Sequence, residues 1–233
     1  MYLYYQMTNM IAGLSKWLFF MLTWAMVAVA GAQNTISEGT LQYRIQILSR
    51  DAGKAQTPIA TASQVIMLKA MQSRTDMTSN LGTETTIYDQ RQGKAVLLKD
   101  YSGQKLMITL SKSNWIQKNA VFHTLKFNTS NNETITIGDY QCRLATATTA
   151  DGHQISVYYL PDRLFTNTTY SNAFSLLPGI PVRYEMNAGD LLFQYELTSI
   201  STDPVPATRF DFPKTGYRVM SYEESQQIKK NRK

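Results

Sequence analysis

The sequence predicts a mainly β fold, a single antiparallel sheet that curls or closes and has its inner face covered by connecting segments. Three observations predict it. Apolar and polar residues alternate with period two from about residue 41 onward. Glycine-bearing turns separate the alternating runs at hairpin spacing. The composition leans the same way, with 14 tyrosines among 233 residues and frequent threonine, residues that suit strands. Hydrophobic residues make up 43% of the chain, enough for a core and too many for wholesale disorder.

The first thirty-odd residues stand apart. Lys16 precedes the apolar run WLFFMLTWAMVAVA, and small residues follow it. Ala30 and Ala32 occupy the −3 and −1 positions of a cleavage site before Gln33. The expectation is a signal peptide over 1–32 and one domain over 33–233. A transmembrane anchor is the alternative, but the run is shorter than the roughly 20 residues a span needs. An exported protein, periplasmic or secreted, follows. Cys142 is the only cysteine, so no internal disulfide and no cysteine metal cluster is expected.

Along the remaining chain the elements read in order. In TLQYRIQIL, the residues Leu41, Tyr43, Ile45 and Ile47 face one way, and Gln42, Arg44 and Gln46 the other. SQVIMLKAMQSRTDMTS reads as one long bent strand or a pair joined near Lys69–Met71, with a helix as the alternative. Three strands follow, 84–89, 94–100 and 104–110, joined by the turn segments QRQG and YSGQ. Parallel pairing would need long crossovers, so these form an antiparallel meander. SNWIQKNA reads as a helical turn or a loop that seats Trp115. Strand signals resume at Phe122–Phe127 and Thr134–Ile137. A hairpin then turns at Asp151-Gly152, with Ile155, Val157 and Tyr159 on one face of the returning strand. Alternation vanishes over 161–181. A last long strand runs from Leu191 to Ile200, with Leu191, Phe193, Tyr195 and Leu197 on one side. SYEESQQIKK is a helix, opened by Ser221 and Glu224 in the S-x-x-E pattern that satisfies free amide protons at a helix start. About nine or ten strands result, with too little helix to cover a flat sheet. The segment around Trp115, the 161–181 connection and the terminal helix are the candidates to fill a curved one.

Catalytic patterns are not visible. His153 falls in the hairpin turn, where a solvated side chain is expected. His123 falls in FHTLKF, on the polar face of the expected strand. Cys142 reads as a small buried residue, since no base or electropositive setting stands beside it in sequence. Asp76 and Asp89 lie on neighbouring predicted strands, an arrangement more typical of surface charge than of an acid–base pair. No cofactor and no metal site is expected, and the chain is read as non-enzymatic. N-x-S/T triplets at Asn128, Asn132 and Asn167 would mark exposed loops in a glycosylating source. The formal charge is +6. Basic and aromatic residues do not interleave as nucleic-acid recognition requires, so no nucleic-acid partner is expected. The terminal Lys229, Lys230, Arg232 and Lys233 read as a solvated helix end or as a weak contact with an anionic membrane surface.

Five segments together resemble a family. ITIGDYQCRLATATTADGHQISVYYLPD, FSLLPGIPVRYEM and TRFDFPKTGYRVM are similar in order and spacing to segments of the secreted, Bacteroidetes-type GLPGLI family and its relatives. GTLQYRIQI and the TTIYDQRQGKAVLL hairpin stand where that family has them. The name-giving turn departs from the pattern, with Leu176 where the family has Gly and Pro181 where it has Leu. The resemblance implies a fold like that of the lipoprotein carrier LolA, a curved antiparallel half-barrel with short helices or lid segments on its concave side and a C-terminal helix. In the turn itself, Pro178 and Pro181 fix φ and remove donors, and Gly179 can take the positive φ such turns need. Its flanks Phe174, Leu176, Leu177 and Ile180 are expected to pack into the barrel mouth.

An apolar concave face can accept an acyl chain or another hydrophobic ligand. The inward positions Tyr43, Ile45, Leu106, Ile108, Val157, Tyr159, Phe193 and Tyr195 are the candidate lining, and the same residues would equally fill a ligand-free core. The partner expected is a lipid or a lipidated protein, met by a monomer. A structural or envelope-interaction protein with a filled barrel is the alternative.

Overall fold

The computed structural model describes residues 33–49, 58–123, 125–130, 133–150 and 152–231. The expected leader over 1–32 lies outside them, as do Asn132, Asp151, Arg232 and Lys233. Fourteen strands are present among the described residues: β1 (Asn34–Ile36), β2 (Glu38–Ser49), β3 (Ala60–Lys69), β4 (Gln72–Ser79), β5 (Gly82–Asp89), β6 (Lys94–Tyr101), β7 (Gln104–Leu110), β8 (Thr134–Ile137), β9 (Tyr140–Thr148), β10 (Gln154–Leu160), β11 (Arg163–Phe165), β12 (Ile180–Ala188), β13 (Leu191–Ser201) and β14 (Arg218–Ser221). The two α-helices among the described residues are α1 (Lys112–Lys118) and α2 (Tyr222–Lys230).

Twelve strands make one open sheet in the order β14-β7-β6-β5-β4-β3-β2-β13-β12-β10-β9-β8. Its pairings are antiparallel except at one margin, where β14 runs parallel to β7. A second parallel pair, β1 with β11, stands outside the sheet. Consecutive strands β2 to β7 are hairpin neighbours, as short connections demand. The large sheet is curved.

The inward face is covered at both flanks. On one, α1 and α2 lie over β5–β7. Trp115 is buried and stacks on Tyr88, ring centroids 4.5 Å apart, beside Leu97, Ile108, Leu110, Met220 and Tyr222. Asn114 Nδ2 donates to Glu223 Oε1 at 2.7 Å and ties the two helices together. On the other flank the 161–177 connection packs Phe165, Ala173, Phe174 and Leu177 against Leu41, Tyr43, Val157, Tyr159 and Val182. The outward face is partly covered too. The segment between β13 and β14 crosses it and buries Val205 and Phe210 on Met67 and Ile87. Lys69 Nζ donates to the Val205 carbonyl at 2.9 Å, and Arg74 Nη1 to that of Arg209 at 2.9 Å.

Several local expectations change. The described residues of 122–127 form no strand. Ala120–Phe122 is a 3-10 turn, and Phe122, His123 and Leu125 spend their amide protons on the carbonyls of Asn119, Ala120 and Phe122. Local bonds have taken the donors a ladder would need, so His123 is an exposed residue after a turn and not a strand position. Leu176 is 63% exposed, while its neighbours Phe174, Leu177 and Ile180 are buried. Gly179 does not adopt positive φ. Space is what it supplies, because a Cβ there would stand 2.2 Å from the Leu160 carbonyl oxygen. Pro181 sits beside a register shift between Tyr158 and Tyr159, a bulge being one of the few places a sheet accepts proline. Asn167 is only 2% exposed, so the folded chain does not present that triplet.

Candidate functional site: the concave face

Cross-strand registers identify the inward residues. One rung of side chains crosses the wall as Leu106, Lys99, Glu84, Met77, Gln64, Tyr43 and Leu197, each the direct partner of the next. The neighbouring rung runs Tyr184, Tyr195, Ile45, Ala62, Ser79, Gly82 and Tyr101. Burial falls along the strands from one end to the other. Towards one end lie the buried Leu41, Leu68, Ser73, Tyr88, Ala95 and Leu110; towards the other, Ile47, Met77, Glu84, Lys99, Tyr101, Leu106, Met186 and Phe193 are half-buried. The concave face is thus packed shut at one end and accessible at the other.

The eight predicted lining residues all occupy inward positions, but they divide by depth. Tyr43, Ile45, Ile108, Val157 and Tyr159 are buried, with Ile45 and Val157 at 0% exposure. Leu106, Phe193 and Tyr195 are half-buried and belong to the accessible end. Leu106 and Ile108 sit on the helix-covered flank, whereas Tyr43, Val157, Tyr159 and Tyr195 belong to the flank packed by the 161–177 connection.

A tyrosine cluster joins the two parts. Tyr184 and Tyr195 stack 4.6 Å apart, Tyr43 meets Tyr184 edge-on at 6.0 Å, and Phe174 meets it at 4.5 Å. Tyr43 donates its hydroxyl to the Pro181 carbonyl at 2.8 Å, which pins the proline turn to β2. Burial, with smaller contributions from neighbouring tyrosines, holds the Tyr43 and Tyr184 phenols well above their ordinary value. Burial does the same to Tyr170, from the covering connection. These phenols stay protonated.

Beyond the tyrosines the rung carries one ion pair. Lys99 Nζ lies 2.5 Å from Glu84 Oε2, and Tyr101 offers its hydroxyl to the same oxygen at 3.5 Å. Sequence reasoning missed this pair and Gln64, because both stand at inward positions that alternation assigns to apolar side chains. The register, with Lys99 opposite Glu84 across a hairpin, was the available signal.

The other candidates do not converge. His153 is held in its turn through Thr149, whose Oγ1 accepts from the His153 amide at 2.9 Å. Asp76 accepts from Arg74 and Thr85, while Asp89 accepts from the Gln92 amide at the opposite end of the β4–β5 hairpin. Burial pushes the Cys142 thiol up to about 11. Among the described residues no three His, Cys, Asp or Glu side chains gather as a metal site. On the convex side a groove of about 280 Å³ is lined by Arg44, Arg183 and Glu196, among others. Both arginines bind Glu196 at 2.7 Å, a solvated cluster of the kind that contributes little.

No family model matches the sequence, and no curated protein matches it. Solved structures resemble it. PNGF-II superposes with a TM-score of 0.45 at 11% identity over 82% of this chain, which spans about a third of that protein's length (32%). An uncharacterized conserved protein from Thermus thermophilus gives 0.46 at 8% identity, over 77% of this chain and 90% of that one. A LolA superfamily protein from Nitrosomonas europaea gives 0.32 at 9% identity, over 78% and 94%.

Proposed function

We propose that this chain is an exported, non-enzymatic binding protein that holds the apolar part of an envelope lipid or lipidated molecule against its concave wall. The observation that carries the reading is the burial gradient along that wall. Ile47, Met77, Leu106, Met186, Phe193 and Tyr195 are large inward residues from the curved sheet, and all remain half-buried at the same end. A wall that served only as a core would gain by covering them, at about 25 cal/mol per Å² of apolar surface. The same residues offer an acyl chain a concave apolar bed with few polar groups, the usual character of a ligand site. The GLPGLI-like motifs and the expected leader fit the same reading.

Titration of the purified protein with the uncharged fluorophore N-phenyl-1-naphthylamine tests it, together with mass spectrometry of lipids extracted from natively purified material. Saturable one-to-one uptake is expected. Phe193→Asp and Leu106→Asp should each weaken it at least tenfold, about 1.4 kcal/mol, while Thr198→Asp on the outward face leaves it unchanged. No saturable uptake and no co-purifying amphiphile would overturn the proposal.

A further inference from the structure

The concave wall carries a hydrogen-bonding group that the folded chain leaves unmet. Gln64 stands inward on β3, directly across from Tyr43 on β2 and Met77 on β4. Its Oε1 is buried and accepts no hydrogen bond, a costly state for an acceptor shut away from water. Tyr43 does not serve it, since that hydroxyl is given to Pro181. Around Tyr43 gather Tyr170, Tyr184 and Tyr195. Unlike Gln64 Oε1, their three hydroxyls are not both shut away and unpaired among the described residues. Each can donate one bond and accept others, and burial keeps each protonated.

Charge narrows what these groups can take. On β2–β7, β12 and β13 the inward positions carry only two charged side chains, Glu84 and Lys99. They neutralise one another at 2.5 Å. An anionic head group placed beside Gln64 would meet no unshared cation and would face Glu84 one strand beyond Met77. A cationic head group would find Glu84 already taken and Lys99 beside it. Neither could recover the hydration it lost on entering.

Resting on the binding reading above, we infer that the guest is an uncharged amphiphile: its hydroxyl or amide N–H donates to Gln64 Oε1, its oxygen accepts from the tyrosine hydroxyls, and its chain lies along Met77, Leu106 and Phe193. Recognition is then by donor–acceptor matching in a site of no net charge, which rejects charged analogues of equal chain length.

Competition against bound N-phenyl-1-naphthylamine at pH 7.5 tests this with four twelve-carbon amphiphiles below their aggregation limits: 1-monolaurin, lauramide, laurate and dodecylammonium. Monolaurin and lauramide should displace the fluorophore at concentrations at least tenfold lower than laurate or dodecylammonium. Gln64→Leu should cut that preference to threefold or less while the fluorophore still binds. Tyr195→Phe, which keeps the ring and removes the hydroxyl, should weaken monolaurin several-fold and serves should the Gln64 variant fail to fold. Equal or tighter displacement by laurate or dodecylammonium overturns the inference, as does a preference that survives both substitutions. Fluorophore uptake without head-group preference removes this inference alone, whereas no uptake removes the binding reading with it.

Discussion

At Gly179 the demand for glycine comes from its neighbours and not from its own backbone angle. A Cβ there would meet the Leu160 carbonyl oxygen at 2.2 Å and the Tyr159 ring at 2.6 Å. The close approach is what lets Ile180 and Pro181 join β10. Gly103 presents the opposite case, with φ at +79° and nothing within 4 Å of an added Cβ. Gly179→Ala should therefore destabilise as overpacking does, by about 1–3 kcal/mol. Gly103→Ala should cost about 1 kcal/mol through backbone strain alone. Urea denaturation compares them, and equal losses would mean that β10 yields freely at Leu160. The sequence showed that a stiff turn stands here and that Phe174, Leu177 and Ile180 are apolar. It could not show which atom the glycine makes room for, because Leu160 comes from a different hairpin. Leu176 misled for a related reason: in a segment without alternation, nothing in the spacing says which apolar residue faces out.

Among the elements, the hairpins and the terminal helix were legible because each is specified by residues next to one another. Ser221 accepts from the Glu224 amide at 3.1 Å, and the Glu224 carboxylate accepts from the Ser221 amide at 2.6 Å, as the S-x-x-E pattern implies. Ser221→Ala should cost about 1 kcal/mol, read as a lower midpoint in chemical denaturation, and no change would mean that packing of Tyr222 alone holds the helix. Ser111 and Asn114 form the same box in front of α1, a pattern not legible in the sequence because Asn stands where Glu or Gln is usual. The parallel strands were not legible. β14 is four residues long, and its place beside β7 depends on a segment that first crosses the outward face. β1 and β11 are three residues each and pair across more than a hundred positions. FHTLKF shows the converse, an alternating run that builds no strand because turns claim its amides.

For the molecule as a whole, the ionisable groups set a window of stability. Glu38 is held below the ordinary carboxylate value by Lys69, at 2.6 Å, and by the Val205 amide. Burial raises Glu196, but Arg183 and Arg44 outweigh it and leave the group lowered. Carboxyls lowered in the folded state give stability that is complete above their unfolded value, near 4.5, and that fades as pH falls through the folded value. Tyr43, Tyr170 and Tyr184 are raised above 10. Their contribution is complete below pH 10 and is lost above it, where the unfolded chain ionises and the folded chain does not. The midpoint of thermal unfolding should be level between about pH 5 and 9, where the unfolded Cys142 thiol begins to ionise, and fall on both sides, with Glu196→Gln flattening the acid limb. A midpoint that rises between pH 8 and 11 would contradict the buried phenols. The concave wall was legible in outline, since eight inward positions were read from alternation alone; its Glu84–Lys99 pair and Gln64 were not, because period two gives the side of a residue and never its partner across the sheet. The seam between β2 and β13 also has a consequence for how the protein is made. Arg44 and Glu196 face each other across it although 152 residues separate them in the chain. The β2–β7 meander assembles from neighbours as it leaves the ribosome, but β2 waits with a bare edge until β13 follows. Nascent chains stalled before residue 191 would keep that edge ready to pair with one another, so the interval before β13 emerges is when this protein most needs an escort.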